Sequence, residues 1–215
     1  MSRVLVIGGH GKVALLLAPL LAARGDQVSA VIRNPDHAGD VRAAGADPVV
    51  SDIEALDVDA LADLISGHDA VVWSAGAGGG SRERTYAVDR DAAMRSMDAS
   101  AKAGVNRYVM VSYFGAGPDH GVPEDNSFFA YADAKSAADA YLSTTDLEWT
   151  ILQPSALTLD PPTGRIDVHA AESGSVSRAD VAAVIAAALT ASSTAGRSIR
   201  FNSGDVPISD AVAGH

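Results

Sequence analysis

The chain has 215 residues, 47% of them hydrophobic and 20% charged, which suits one globular domain with a sizeable core and excludes a disordered polypeptide. Its formal net charge of −11 excludes the basic surface that sequence-independent nucleic-acid binding needs, and it disfavours docking on anionic membranes. Cysteine is absent and the six histidines are scattered without ligand spacing, so disulfides, thiolate chemistry and a metal site are not expected.

The amino terminus, MSRVLVIGG, meets glycine after four apolar residues, too soon for a signal-peptide core. The longest apolar runs, VALLLAPLLAA and VAAVIAAALTA, are about eleven residues long and too short to span a bilayer. A cytoplasmic protein is expected, with a small-molecule substrate and neither nucleic acid nor membrane as partner. No pattern in the sequence specifies an oligomeric state.

In chain order, RVLVI at 3–7 predicts a strand, and GKVALLLAPLLAARG predicts a helix over 11–24 that Pro19 should kink. Further strands are predicted at 27–32, 47–51, 69–74, 106–112, 148–153 and 198–202. Helices are predicted between them at 36–44, 54–65, 86–103, 128–144 and 177–190. Strands that are nearly continuous apolar runs, separated by helices, indicate a parallel sheet buried on both faces. Right-handed crossovers then give an α/β fold, a doubly wound, Rossmann-like parallel sheet of about seven strands in one domain over 1–215.

Two stretches are too long for plain connections: FGAGPDHGVPEDNS at 114–127 and the segment 154–177. Both follow strands, so both are expected at the carboxyl edge of the sheet, as loops covering a substrate. Ser177 and Asp180 form a capping arrangement for the helix that follows. Trp73 and Trp149 are expected in the core, and His10 is expected to be an exposed loop residue.

The first strand runs into GGHGKVA, which fits both Gly-x-Gly-x-x-Ala (Gly9, Gly11, Ala14) and Gly-x-x-Gly-x-x-Ala (Gly8, Gly11, Ala14). Glycines let the backbone turn sharply and approach a diphosphate, and the small Ala14 lets the helix pack close to the strand. The helix start adds unpaired N–H groups and the positive end of its dipole. Lys12 sits in the first helical turn, either against a bound phosphate or simply solvated. The second strand ends in VIRNP, placing Arg33 about where an NAD site usually carries an acid. A guanidinium fork suits the 2′-phosphate of NADP and offers no acceptor to a hydroxyl. NADP is therefore the expected cofactor, while Asp36 and Asp40 shortly beyond leave NAD open.

In FFAYADAKSAADAYL, Tyr131 precedes Lys135 by four residues, so on a helix the two share one face about a turn apart. An enzyme that reduces a carbonyl must supply a proton to the developing alkoxide, and a phenol needs a nearby cation to do so near neutral pH. The pair follows the fifth predicted strand, where the nicotinamide end of a dinucleotide would lie.

With these segments goes a run of others in order: SDIEALD, VVWSAGAGG, AVDRDAAMRSMDASAKAGVNRYVMVS, WTILQPSALT and SVSRADVAAVIAAAL. The whole resembles the short-chain dehydrogenase/reductase superfamily, in particular its atypical single-domain branch related to extended enzymes and NmrA-like proteins. The resemblance implies that Gly8, Gly11 and Ala14 line the diphosphate and that Arg33 meets the adenosine phosphate. It implies Asp52 and Ile53 at the adenine, Ser74, Ala75 and Gly76 over the ribose, and Pro154 and Ser155 beside the nicotinamide. Tyr131 would be the acid–base and Lys135 its partner. One departure stands out: the superfamily commonly has a serine pair after the fifth strand, and here VSYFG offers Ser112 and then Tyr113. Either can donate to a carbonyl, or neither. Three functions are therefore in view. The first is an NADP-dependent oxidoreductase acting on a carbonyl or related acceptor. The others are a catalytically idle NADP(H) sensor and, last, a nucleotide-sugar epimerase or dehydratase.

Overall fold

A computed structural model describes residues 1–79 and 81–214. The first half alternates β1 (Arg3–Ile7), α1 (Lys12–Ala23), β2 (Gln27–Ile32), α2 (Ala38–Ala43), β3 (Asp47–Val50), α3 (Val58–Ile65) and β4 (Ala70–Trp73). Next, α4 (Arg82–Thr85) runs through a π-helical stretch (Tyr86–Ala92) into α5 (Ala93–Lys102), β5 (Arg107–Val111) and α6 (Phe129–Ser143). The remainder is β6 (Glu148–Pro154), β7 (Ala156–Thr158), β8 (Arg165–Asp167), β9 (Ser175–Ser177), α7 (Arg178–Thr190), β10 (Arg197–Ser203), β11 (Val206–Pro207) and α8 (Ile208–Ala213).

The main sheet has nine strands in the order β11-β8-β10-β6-β5-β4-β1-β2-β3. From β3 to β10 every pairing is parallel, and these are the seven strands the apolar runs predict. The strand count is nevertheless higher than expected. Antiparallel β8 and β11 extend one edge, and β7 pairs with β9 in a small second sheet. The segment 154–177, expected as a loop, thus contains three short strands. They escape notice in the sequence because three residues are too few to show a period. The carboxy-terminal α8 was likewise not predicted.

Alternation along each strand divides the apolar residues between two cores. Val4 and Val6 of β1 join Leu17 and Leu21 of α1 and Val184 and Ile185 of α7 on one face. Leu5 and Ile7 join Leu61 of α3, Met97 of α5 and Leu142 of α6 on the other. Trp73 is fully buried in this second core, and Trp149 packs against it. Helix α1 continues over Pro19, which lies on its exposed side.

Caps set the helix starts. Helix α3 begins four residues later than predicted because Asp57 accepts from the Ala60 amide at 2.9 Å. Ser177 accepts from the Asp180 amide at 3.0 Å, as the capping pattern requires. The buried Asp180 carboxylate also accepts from the Thr163 and Gly164 amides, at 2.9 and 2.8 Å, pinning the 154–177 segment to the start of α7. Among the described residues no helix is long and apolar enough to cross a membrane. None of them form a cluster of three or more His, Cys, Asp or Glu able to hold a metal.

Candidate active site

Strand order reverses between β1 and β4, which opens a crevice at the carboxyl ends of the parallel strands. The β1–α1 turn forms its floor. Gly8 has φ +91°, and a Cβ there would stand 2.6 Å from the backbone of Ala75, so the turn touches the loop after β4. A Cβ on Gly9 would stand 2.6 Å from the Ala30 Cβ on β2. Gly11 caps α1 with extended backbone and no side chain, leaving the first N–H groups of the helix open toward the crevice. Ala14 is buried in the core and lets α1 lie close to the sheet. Lys12 projects exposed from the start of the helix.

Above this turn is a cavity of about 590 Å³, lined by Gly8, Gly11, Arg33, Asp52, Ile53 and the Ser74–Gly76 loop among others, within the size range of small-molecule sites. Arg33 donates from Nη1 to Glu54 Oε1 at 2.9 Å, and Arg84 reaches the same oxygen at 3.3 Å. Arg84 also donates to the Ala77 carbonyl at 2.9 Å, tying the loop after β4 to this pair. Asp52 accepts from the Glu54 amide with Oδ1, which shapes the turn after β3. His10 is half-buried and not simply exposed as expected: its ring stacks on His37 at 3.6 Å, Nε2 lies 2.9 Å from Asp40 Oδ2, and both rings line the cavity. Glu54, Arg84 and His37 carry no motif that marks them in the sequence. Only their convergence in space does.

A second cavity, of about 420 Å³, adjoins the first and shares Ala77 and Gly78 with it. Tyr131 lines it from α6, Asp89 from the π-helical stretch, and Glu124, Asn126 and Ser127 from the loop at 114–127. With this shared wall, the two neighbouring cavities together reach from the end of β2 to the start of α6. The segment 154–177 lines neither cavity, so of the two long stretches only 114–127 reaches the groove.

Tyr131 packs against Phe128 and Tyr113, with ring centroids 5.2 and 5.6 Å away. Burial pushes its phenol well above the usual range, and the carboxyls of Asp89 and Asp139 push it further. Lys135 is 1% exposed and donates to the Val111 carbonyl at 2.7 Å. Burial pulls its ammonium down, while the same two acids oppose that shift. Ser112 donates to Asp139 Oδ2 at 2.6 Å, so its hydrogen is already engaged inside the protein. The Tyr113 hydroxyl is buried near the Ser136 side chain, without a hydrogen bond of good geometry to it. Pro154 ends β6, and its carbonyl accepts from the Phe114 amide at 2.8 Å. Ser155 bonds Asn202 on β10, and neither Pro154 nor Ser155 lines the groove.

These residues fit a dinucleotide: a glycine turn that a Cβ would fill, a helix start facing the crevice, and a cavity that shares a wall with the Tyr131 cavity. Residues 8–192 match the family model described as NAD(P)H-binding. The chain belongs to the NAD(P)H-binding family. It is 34% identical to the Saccharomyces cerevisiae UPF0659 protein YMR090W, over 96% of this chain and 95% of that one. A putative NAD-dependent epimerase/dehydratase from Bacillus halodurans superposes with a TM-score of 0.91 at 32% identity, with both chains fully covered. ChuY, an anaerobillin reductase from Escherichia coli O157:H7, superposes at 0.78 with 26% identity, over 95% of this chain and 98% of that one. The likeness to atypical short-chain dehydrogenase/reductase proteins therefore holds, as does the Rossmann-like fold. The family is one of NAD(P)-binding, oxidoreductase- or epimerase-like proteins.

Proposed function

We propose that the protein is an NADP-dependent reductase of a small carbonyl or related acceptor, with Tyr131 as proton donor. The observation that carries this reading is that the Arg33 cavity and the Tyr131 cavity share Ala77 and Gly78 in their walls. A nicotinamide cofactor, when bound, supplies the hydride.

The chain's own residues do the rest. Gly8, Gly11 and the start of α1 receive the diphosphate on backbone N–H groups, where a side chain would block it. Lys12, exposed beside them, adds attraction at longer range. Arg33 turns from Glu54 to the 2′-phosphate, and Arg84 stays to neutralise Glu54. Asp52 and Ile53 flank the adenine, and the Ser74–Gly76 loop closes over a ribose. Tyr131 holds its proton at the phenolic oxygen until an acceptor atom takes it, and Lys135, one helical turn further along α6, is the cation to stabilise the phenolate left behind. Ser112 positions Asp139 next to Lys135. The 114–127 loop shields the acceptor from water.

A second reading is an NADP(H) sensor without turnover. What favours it is that Ser112, at the first place of the usual serine pair, already donates its hydrogen to Asp139 inside the protein. Epimerisation or dehydration, which the name of the Bacillus halodurans protein suggests, ranks last. The residues after β6 mostly extend the sheet and supply α7 and α8.

The test is titration with NADPH and NADH, followed by turnover of a carbonyl and quinone panel by the parent and by Tyr131→Phe. Reductase function requires tight NADPH binding and turnover that the variant loses. NADPH binding with no turnover across the panel, and very different affinities for NADPH and NADP, would favour the sensor. Parental rates in Tyr131→Phe would remove the phenol from the chemistry.

A further inference from the structure

Beneath Tyr131 lies a group of charges that the chemistry above leaves partly idle. Lys135, Asp89 and Asp139 are 1%, 1% and 6% exposed and form one electrostatic cluster. Two carboxyls face a single ammonium in a volume shielded from solvent. Were all three ionised, a net negative charge would be buried without compensation, which costs more than retaining one proton.

Geometry places that proton. Asp139 Oδ2 accepts from two side chains, Ser112 at 2.6 Å and Gln153 at 3.2 Å, and both donors favour a carboxylate. Among the described residues, Asp89 accepts only one hydrogen bond, from the Ala77 amide to Oδ2 at 2.9 Å. The other oxygen of each acid is buried without a partner, but only Asp89 lines the cavity shared with Tyr131. A Cβ on Gly76 would stand 3.1 Å from Asp89 Oδ1, so this bare oxygen lies directly under the loop that joins the two parts of the groove. Asp89 also sits in a π-helical stretch, a local distortion frequent at functional sites.

We propose that Asp89 is a second proton donor of this site: its carboxyl keeps its proton in the neutral-pH protein and offers it from Oδ1 to a heteroatom lodged beside Tyr131. In that step the Asp89 O–H bond breaks, and a lone pair on the acceptor atom forms the new bond to hydrogen. The carboxylate left behind faces Lys135 and is reprotonated by water entering the emptied cavity. The groups facing Asp89 are Lys135 and Tyr131 from α6, Arg84 from α4 and the Ala77 amide, while Asp139 acts on the same lysine and phenol. Arg90, in the same π-helical stretch, pairs instead with Asp91. Burial raises both carboxyls; on Asp89 it is opposed, in order, by Lys135, the Ala77 amide and Arg84, and on Asp139 by Lys135, Ser112 and Gln153. The choice between them therefore rests on the hydrogen bonds and the cavity. The chemical use of this proton rests on the cavity being the acceptor end of a dinucleotide groove. Its presence does not.

The experiment is infrared spectroscopy of the full chain as a function of pH, following the carbonyl stretch of a protonated carboxylic acid. The parent should show this band at neutral pH, and Asp89→Asn should lack it. Gly76→Ala sets a methyl against Oδ1 and should shift the band, whereas Ser112→Ala, which touches only Asp139, should leave it in place. These two variants decide the matter even if Asp89→Asn does not fold. A parent without the band at neutral pH would overturn the proposal. So would a band that survives Asp89→Asn, or one that moves in Ser112→Ala and not in Gly76→Ala. Adding NADPH separates the two ideas. A parent that shows the band but binds no dinucleotide keeps the Asp89 assignment and loses the reductase, and one that binds NADPH without the band does the reverse.

Discussion

At the Arg33 end of the groove, charges lie near the surface and form exposed ion pairs. The Arg33 side chain is 54% exposed and Glu54 26% exposed, and Arg84 shares the same carboxylate. At the Tyr131 end, the charges of Asp89, Lys135 and Asp139 are buried and outnumber their partners. Exposed pairs are worth about 0.2–1 kcal/mol, so Arg33 can exchange Glu54 for a phosphate at little cost. Buried and unbalanced charges are expensive to keep, and their presence points to proton chemistry more than to stability. One end is built to exchange partners, the other to hold a proton.

The strongest way to break this contrast is to remove the turn that both ends depend on. Gly8→Val forces a β-branched residue to φ +91° against the Ala75 backbone. It should cost about 3 kcal/mol or more of stability and abolish dinucleotide binding, as read by thermal unfolding and calorimetry. Next in size, Tyr131→Phe should lower turnover by about 100- to 10,000-fold with NADPH affinity unchanged, measured on any acceptor found in the panel. At the exchangeable end, Arg33→Ala should weaken NADPH by about tenfold and leave NADH alone, since it removes one charge-assisted hydrogen bond. Equal losses for both dinucleotides would remove Arg33 from phosphate recognition. Glu54→Gln sharpens the same point with the opposite sign. Freed of its competitor, Arg33 should bind NADPH about threefold more tightly, again with no change for NADH.

The subtlest effect is on stability against pH. The folded Asp89 carboxyl is raised above its unfolded value, so its stabilising contribution is complete below the ordinary carboxylate range. That contribution is lost as pH rises through the raised folded value. The melting temperature of the parent should therefore fall over that window, and Asp89→Asn should fall less. An unchanged slope in the variant would mean that Asp89 ionises freely in the folded chain.

What could be read from the sequence was local. The parallel strands announce themselves as apolar runs, and the glycine turn is a backbone constraint written in seven consecutive residues, GGHGKVA. Tyr131 and Lys135 are paired by helical spacing. What could not be read was convergence between distant segments. Arg33 and Glu54 are 21 residues apart, and Asp89 meets Lys135 from a different helix. The resemblance puts Pro154 and Ser155 beside the nicotinamide; in the structure Ser155 bonds Asn202 on β10, a partner 47 residues away that local spacing does not announce, and the chain continues into β7 against β9. Lys12 and Ala14 belong to the turn by pattern, yet one is solvated and the other packs the core.

The most direct measurement is a crystal structure with NADPH bound. It should show the diphosphate on the Gly8–Gly11 turn, the adenosine phosphate at Arg33 in place of Glu54, and the nicotinamide in the cavity of Tyr131 and Asp89. A nicotinamide ring anywhere else, with the Tyr131 cavity empty, would contradict the reductase and leave the phenol and its buried acids without a substrate to serve.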